Sequence, residues 1–170
     1  MSRSIRDLQP QAVLALAVAV ESRNAERYAT FAHLFSTYND EASRLFDEMR
    51  EEELAHRAVL LRLYRDRYGD QEYPIDEADV DEVVEAVDLD EAEHMVFNDI
   101  TRRHVFEAAL RAEQGARGFY ASLTGTVQDP ALLALYRQLA EYEEDHVAAL
   151  EARMSLAGIE SGGGNNGHHR

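Results

Sequence analysis

Apolar side chains recur at steps of three and four along the chain, which is the spacing of one face of an α-helix. In the first such stretch the stripe contains Leu14, Val18, Ala25, Ala32 and Phe35. Pro10 precedes the stripe and suits the first turn of a helix. Because no glycine or further proline interrupts the segment, the pattern predicts a first helix over residues 10–38.

Three further stretches show the same periodicity, and they predict helices over residues 40–68, 99–125 and 130–156. Asp40 is expected to cap the second helix and Asp129 the fourth, because a carboxylate accepts hydrogen bonds from the unpaired amide groups at a helix N-terminus. The predicted fold class is therefore all-α.

The connection between the second and third helices is long and acidic. Residues 70–98 contain scattered valines, which predict short helices near 76–87 and 89–97. A helix of about 28 residues is about 42 Å long, and this connection can cross that length. The sequence thus predicts a four-helix bundle of two antiparallel hairpins joined by one long crossover. We expect residues 1–158 to form this domain and residues 159–170, which are rich in glycine, to form a flexible tail.

Composition narrows the possible chemistry. Apolar residues make up 45% of the 170, which supports a globular domain with a buried core. The chain has no cysteine, which excludes disulfides, cysteine-ligated zinc, and iron–sulfur or rubredoxin centres within it. A net charge of −16 would repel nucleic acid and attract small cations. No segment reaches the roughly 20 apolar residues of a membrane span, so neither nucleic acid nor a membrane is an expected partner.

A glutamate, a tyrosine seven positions later and then a Glu-x-x-His pair occur twice in the chain. The first copy is Glu21, Tyr28, Glu53 and His56, and the second is Glu113, Tyr120, Glu143 and His146. Seven positions are about two helical turns, so each tyrosine lies on the same face as its glutamate. Residues three apart are also neighbours on a helix, so each Glu-x-x-His pair can reach one metal ion.

Four carboxylates within apolar stripes need a cation. Isolated buried charge costs many kcal/mol, and two divalent ions would neutralise four ionised glutamates. Four-helix bundles use four such carboxylates and two imidazoles to hold two metal ions. We therefore predict two ions bound by Glu21, Glu53, His56, Glu113, Glu143 and His146. An oxygen-rich set without sulfur suits iron or manganese, and zinc can substitute.

The two halves of the chain match beyond these ligands. Counted from the motifs, the matching pairs include Leu14/Phe106, Ala17/Ala109, Phe31/Leu123, Phe46/Tyr136, Met49/Leu139 and Leu60/Leu150. An internal duplication explains this correspondence, and it places a two-fold axis through the centre of the bundle.

Tyr28 and Tyr120 are predicted to take part in the chemistry without binding metal. They can donate hydrogen bonds to bridging carboxylates or serve as one-electron donors near the ions. The alternative is that each tyrosine only packs its ring in the core and satisfies its hydroxyl there. A third Glu-x-x-His pair, Glu91 and His94, lies in the connection and lacks a matching tyrosine, so we expect it to face solvent.

These motifs resemble those of the ferritin-like superfamily, and most of all its rubrerythrin branch. The resemblance covers nearly all of residues 10–157. It is carried by residues 45–56 of the second helix and 139–146 of the fourth, with Phe119 and Tyr120 on the third. It implies a ferritin-like four-helix bundle with a non-haem di-iron centre.

The resemblance also implies roles for the ligands. Glu53 and Glu113 match positions that usually bridge the two ions, and Glu21 and Glu143 match terminal ligands, although the symmetry of the sequence allows the opposite assignment equally well. Ala116 stands where rubrerythrins usually offer an additional glutamate. A ligand switch that depends on that glutamate is therefore not implied here.

By the same resemblance the chain is expected to be an oxidoreductase. It would oxidise ferrous iron and reduce hydrogen peroxide or dioxygen, and its biological purpose would be the detoxification of iron and of oxidants. Leu54 and Ala55 stand where bacterioferritins carry a haem-binding methionine, so no haem is expected. Electrons would come from an external donor protein or from ferrous iron itself. The expected assembly is a homodimer or a larger homo-oligomer.

Other functions use the same ligand set. The main alternative is an iron-storage ferritin subunit with a ferroxidase centre, and a different di-metal oxygenase or a manganese catalase ranks lower because the sequence shows no pocket for an organic substrate. The apolar run 12–20 follows Arg3 and Arg6, as in a signal peptide, but it continues without a break into Glu21 and Tyr28. We therefore read it as the buried start of a helix and expect a cytoplasmic protein.

Overall fold

Long helices form almost all of the regular structure. The structure, a computed structural model, describes residues 8–85 and 99–159. Within these residues there is no strand, and the helices are α1 (Pro10–Phe35), α2 (Asp40–Tyr68), α3 (Glu77–Val83), α4 (Asp99–Leu123) and α5 (Pro130–Leu156). The predicted all-α class is confirmed.

The N-terminal cap of α5 is the predicted residue, whereas the N-terminal cap of α2 is a different residue. Asn39, and not Asp40, caps α2: its backbone is not helical, with φ −148°, and its side chain accepts a hydrogen bond from the amide of Ala42 at 3.0 Å. Asp40 is instead the first residue of the helix, where its charge suits the positive end of the helix dipole. Asp129 caps α5 as predicted, by accepting hydrogen bonds from the next helical amides.

Two helical hairpins make up the bundle, since α1 packs along α2 and α4 packs along α5. The short helix α3 belongs to the crossover and contacts both α1 and α4. At this contact the carbonyl oxygen of Val83 approaches Gly115 so closely that a Cβ at position 115 would collide with it. The crossover therefore lies directly on the helices that carry the first and third glutamates.

Helix α3 ends at Val83, before the predicted 87, because Val84 has an extended backbone with φ −132° and ψ 105°. Two arginines of α1 bind the backbone that follows the helix. Arg23 donates to the carbonyl of Val84 at 3.4 Å, and Arg27 donates to the carbonyl of Glu85. The predicted helix at 89–97, the Glu91–His94 pair and residues 160–170 of the predicted tail lie outside the described residues.

The hydrophobic core is divided into two clusters, which we call the α3-side cluster and the aromatic cluster. The α3-side cluster includes Leu14, Leu60, Val83, Tyr120, Tyr136 and Leu139. The aromatic cluster includes Tyr28, Phe31, Phe46, Met49, Phe106 and Leu150. Each pair matched by the duplication is split, with one member in each cluster: Leu14 with Phe106, for example, and Tyr120 with Tyr28. This is the distribution expected if a two-fold axis passes between the clusters and exchanges the hairpins.

Across residues 8–85 and 99–159, none of the helices combines the length and apolar character needed to span a membrane.

Candidate metal centre

The four predicted glutamate ligands lie in the interior of the bundle. Glu21, Glu53, Glu113 and Glu143 each have 0% of their surface exposed. Because each occupies a position in the apolar stripe of its helix, the packing that buries the stripe also turns the carboxylate inward. α1, α2, α4 and α5 contribute one glutamate each, so the site requires both hairpins.

The two predicted histidines lie at the edge of this carboxylate group. Their side chains are 11% exposed for His56 and 7% for His146. His56 Nδ1 is 3.4 Å from a carboxylate oxygen of Glu21, and His146 Nδ1 is 3.1 Å from one of Glu113. Each histidine therefore faces the glutamate supplied by the first helix of its own hairpin.

The ligand atoms of the six residues form two overlapping groups. One group consists of Glu21, Glu53, His56 and Glu143, and the other of Glu53, Glu113, Glu143 and His146. Within each group the atoms lie within 4.8 Å of one another. The structure thus brings all six predicted ligands to two adjacent positions, each of which could hold a metal ion.

Glu53 and Glu143 belong to both groups, whereas Glu21 and Glu113 belong to one each. This geometry differs from the roles that the family resemblance implied, in which Glu53 and Glu113 bridge. The physical reason is the two-fold relation of the hairpins: a centre on that axis is bridged by equivalent residues, and the equivalent of Glu53 is Glu143. Glu53 and Glu143 are therefore the candidates for bridging ligands.

The ligand group that contains His146 stabilises positive charge even without a metal ion. His146 Nδ1 lies 3.1 Å from Glu113, 3.2 Å from Glu53 and 3.6 Å from Glu143. Burial works to lower the pKa of His146, but the adjacent carboxylates of Glu113, Glu143 and Glu53 outweigh burial and raise the pKa well above its usual value. In the metal-free chain, a protonated imidazole therefore supplies positive charge among the glutamates.

The shared glutamates resist ionisation in the metal-free chain. Burial, followed by the nearby charges of Glu21 and Glu113, raises the pKa of Glu53 well above its usual value. Burial and the charge of Glu113 do the same for Glu143. Burial also works to raise the pKa of Glu113, but its close contacts with Glu143, His146 and Tyr28 lower it overall. The cluster thus holds protons that a divalent ion would displace.

Several ligand atoms lack a hydrogen-bond partner among the described residues, although they are fully buried. They are both carboxylate oxygens of Glu53, both of Glu143, Glu21 Oε2 and His56 Nδ1. Buried polar atoms are normally hydrogen-bonded, because an unsatisfied one costs about 1–3 kcal/mol. Oxygen and imidazole nitrogen donors in this arrangement fit a pair of divalent iron ions.

Each tyrosine binds the glutamate of the other hairpin. The Tyr28 hydroxyl donates to Glu113 Oε1, and the Tyr120 hydroxyl donates to Glu21 Oε1. Both side chains are buried, and burial, then the adjacent carboxylate charges, raise the pKa of each hydroxyl well above its usual value. The tyrosines therefore stay protonated and position Glu21 and Glu113, rather than the shared glutamates.

Two polar contacts close to the predicted ligands were not predicted from the sequence. Glu52 Oε2 lies 2.5 Å from His146 Nε2, yet its position on α2 is about 100° around the helix from Glu53, outside the ligand stripe. Asn24 and Arg27 form a buried polar pair on α1, in which Arg27 Nη1 donates to Asn24 Oδ1 at 3.4 Å. The spacing of Asn24, three residues after Glu21, was the available signal.

Access to the site is asymmetric. A cavity of about 540 Å³, partly open to solvent, lies between α2 and α5 and is lined by both histidines and by Glu52 and Tyr142. On the other side, α3 contacts α1 and α4. Small molecules can therefore reach the histidine edge of the site from the cavity.

The sequence profile described as Rubrerythrin matches residues 12–98, which is just over half of the chain and includes Glu21, Glu53 and His56. The chain belongs to the rubrerythrin family. The remaining candidate ligands of this rubrerythrin-family chain, Glu113, Glu143 and His146, lie outside the matched segment and rest on the duplication and the geometry above.

A solved structure of a hypothetical protein from Pyrococcus furiosus is similar to this rubrerythrin-family chain. Its TM-score is 0.65 at 21% sequence identity, and the match covers 91% of this chain and 95% of that chain. At this identity the likeness shows a shared fold alone. No curated protein sequence matches the chain.

Proposed function

We propose that the chain is a di-iron oxidoreductase that couples the oxidation of ferrous iron to the reduction of hydrogen peroxide or dioxygen. The observation that carries this proposal is the pair of ligand groups that share Glu53 and Glu143. Two ions held by common carboxylates can act on one small oxidant together. Membership of the rubrerythrin family supports iron over manganese or zinc as the resident metal.

Iron, when bound, supplies the redox chemistry: two ferrous ions give two electrons, which with two protons reduce one hydrogen peroxide to two waters. The residues of the chain hold the geometry. Tyr28 and Tyr120 fix the carboxylates of Glu113 and Glu21 by hydrogen bonds. The two apolar clusters on either side exclude bulk water, and the cavity between α2 and α5 admits the oxidant. Re-reduction would use an external donor protein or fresh ferrous iron.

Anaerobic titration with ferrous iron, followed by addition of hydrogen peroxide or dioxygen, tests the proposal. We expect two ferrous ions per chain, and ferric absorbance that develops faster than in buffer and consumes one peroxide for every two ferrous ions. The Glu53→Gln variant is the matched control, since it keeps the side-chain size and removes a shared carboxylate. Oxidation in the native chain at the rate of iron in buffer would contradict the proposal.

Iron uptake, particle size and dioxygen release separate the alternative functions. A storage subunit would continue to take up iron beyond two ions per chain and would elute from a sizing column as a large shell, far ahead of a dimer of 19.2 kDa chains. A manganese catalase would release dioxygen from peroxide without net consumption of ferrous iron. We expect neither behaviour.

A further inference from the structure

The two halves of the centre have matching ligands but differ one residue before each shared glutamate. On α2 this residue is Glu52, and on α5 it is Tyr142. Glu52 Oε2 lies 2.5 Å from His146 Nε2. The Tyr142 ring instead stacks on the His56 ring, with centroids 5.0 Å apart and planes 23° from parallel. Each histidine is thus contacted from the opposite hairpin, but by groups of different chemistry.

Glu52 can act on the nitrogen of His146 that does not face the ligand group. Nδ1 of His146 faces Glu53, Glu113 and Glu143, which leaves Nε2 to donate its proton to Glu52. A carboxylate that accepts from the distal nitrogen of a ligating histidine fixes the tautomer and the ring orientation, and makes the ligating nitrogen more basic. His146 is therefore prepared as a strong ligand.

Tyr142 gives His56 no such partner. Its ring orients the imidazole by stacking, and its hydroxyl accepts a hydrogen bond from Gln138 Nε2 at 3.1 Å. Because the ring lies nearly parallel to the imidazole, it covers the imidazole face and is not in line with the distal N–H, and the hydrogen bond found for the Tyr142 hydroxyl among the described residues comes from Gln138. The imidazole of His56 is therefore held in place without the gain in basicity that a carboxylate provides.

We propose that Glu52 makes the two metal positions unequal, so that the ion held by Glu113 and His146 binds more tightly than the ion held by Glu21 and His56. This inference rests on the proposed di-iron function. It makes the His56 position the one that exchanges its ion with solvent, and Glu52 a positioning residue that acts through His146.

The size of the effect is limited by solvent. Loss of a hydrogen-bonding partner of a ligating histidine typically lowers metal affinity by about 10–100-fold. The Glu52 side chain is 60% exposed while that of His146 is 7% exposed, so water screens part of the interaction. We therefore expect a change near the lower end of that range, about tenfold.

Stepwise Co²⁺ titration of the metal-free chain, followed by absorption spectroscopy, tests the inference. Repulsion between two ions separates the stepwise affinities even in a symmetric centre, so variants must be compared. Glu52→Ala is expected to weaken the first step by about tenfold. Glu51→Ala removes the same charge from a neighbouring position whose carboxylate pairs with Arg50, and it should leave both steps unchanged. Tyr142→Glu should supply His56 with an acceptor and strengthen the second step.

The outcomes distinguish the inference from the function on which it rests. Equal effects of Glu52→Ala and Glu51→Ala, or no effect of Glu52→Ala, would overturn the inference while leaving the two-ion centre intact. A native chain that binds fewer than two Co²⁺ ions would overturn the proposed function and the inference with it.

Discussion

Replacement of either shared glutamate, by Glu53→Gln or Glu143→Gln, is expected to reduce bound iron from two ions per chain to nearly none. Each of these carboxylates belongs to both ligand groups, so both ions lose a ligand at once. Glutamine keeps the side-chain volume but offers a neutral amide, which neutralises no charge and bridges two ions poorly. Elemental analysis of the chain after anaerobic loading and desalting measures the result.

The unshared glutamates provide the matched controls for this experiment. Glu21→Gln and Glu113→Gln make the same chemical change at equally buried positions, but each belongs to only one group. We expect these variants to retain about one ion per chain. Two ions per chain in Glu53→Gln and Glu143→Gln, with the helical circular dichroism unchanged, would show that these residues are not the bridging ligands.

The stability of the metal-free chain is expected to fall as the pH rises from about 5 to 8. Burial raises the pKa of Glu53 and Glu143, and neighbouring carboxylates raise that of His146 against the effect of burial. In this range the folded chain therefore keeps protons that the unfolded chain releases, and the free energy of unfolding decreases with pH. Each such proton contributes about 1.4 kcal/mol per pH unit. The lowered pKa of Glu113 acts in the opposite sense, but only below its usual value near pH 4.5.

Metal binding should reverse this dependence. An ion that displaces the protons binds more tightly as the pH rises, and at a thousand times its dissociation constant each ion adds about 4 kcal/mol of stability. Thermal unfolding with a chelator and with excess Mn²⁺, at pH 5 and pH 8, measures both effects. Glu143→Gln should flatten the metal-free slope. A metal-free chain that becomes more stable between pH 5 and pH 8 would refute the protonation scheme.

The convergence of the six candidate ligands could be predicted because two independent regularities coincide in the sequence. The 3.6-residue period identifies which positions face the core. The repeated motif shows that Glu21 is equivalent to Glu113 and that Glu53 is equivalent to Glu143. Helix bounds were predicted closely where polar residues or proline mark an end, as at Asp129. α1 ends at Phe35 and not at the predicted 38, and residues 36–38 form a turn. The continuous apolar stripe did not reveal this end of the helix.

The contacts between helices could not be predicted from the periodicity. The stripe shows that Tyr28 and Glu21 share a face of α1, but the hydroxyl of Tyr28 binds Glu113 on α4, in the other hairpin. The contact of Glu52 with His146 joins α2 to α5. The sequence pattern alone assigns Glu52 to a solvent-exposed face of α2. Such pairings depend on how the hairpins are rotated against each other, and the periodicity of apolar positions does not specify that rotation.

Anomalous diffraction from crystals of the iron-loaded chain would test the central claim most directly. We expect two peaks about 3.5–4 Å apart, the spacing of known two-metal sites, with both peaks within coordination distance of Glu53 and Glu143. One peak would also contact Glu21 and His56, and the other Glu113 and His146. Iron bound only at the surface, with these six side chains free of metal, would contradict the claim.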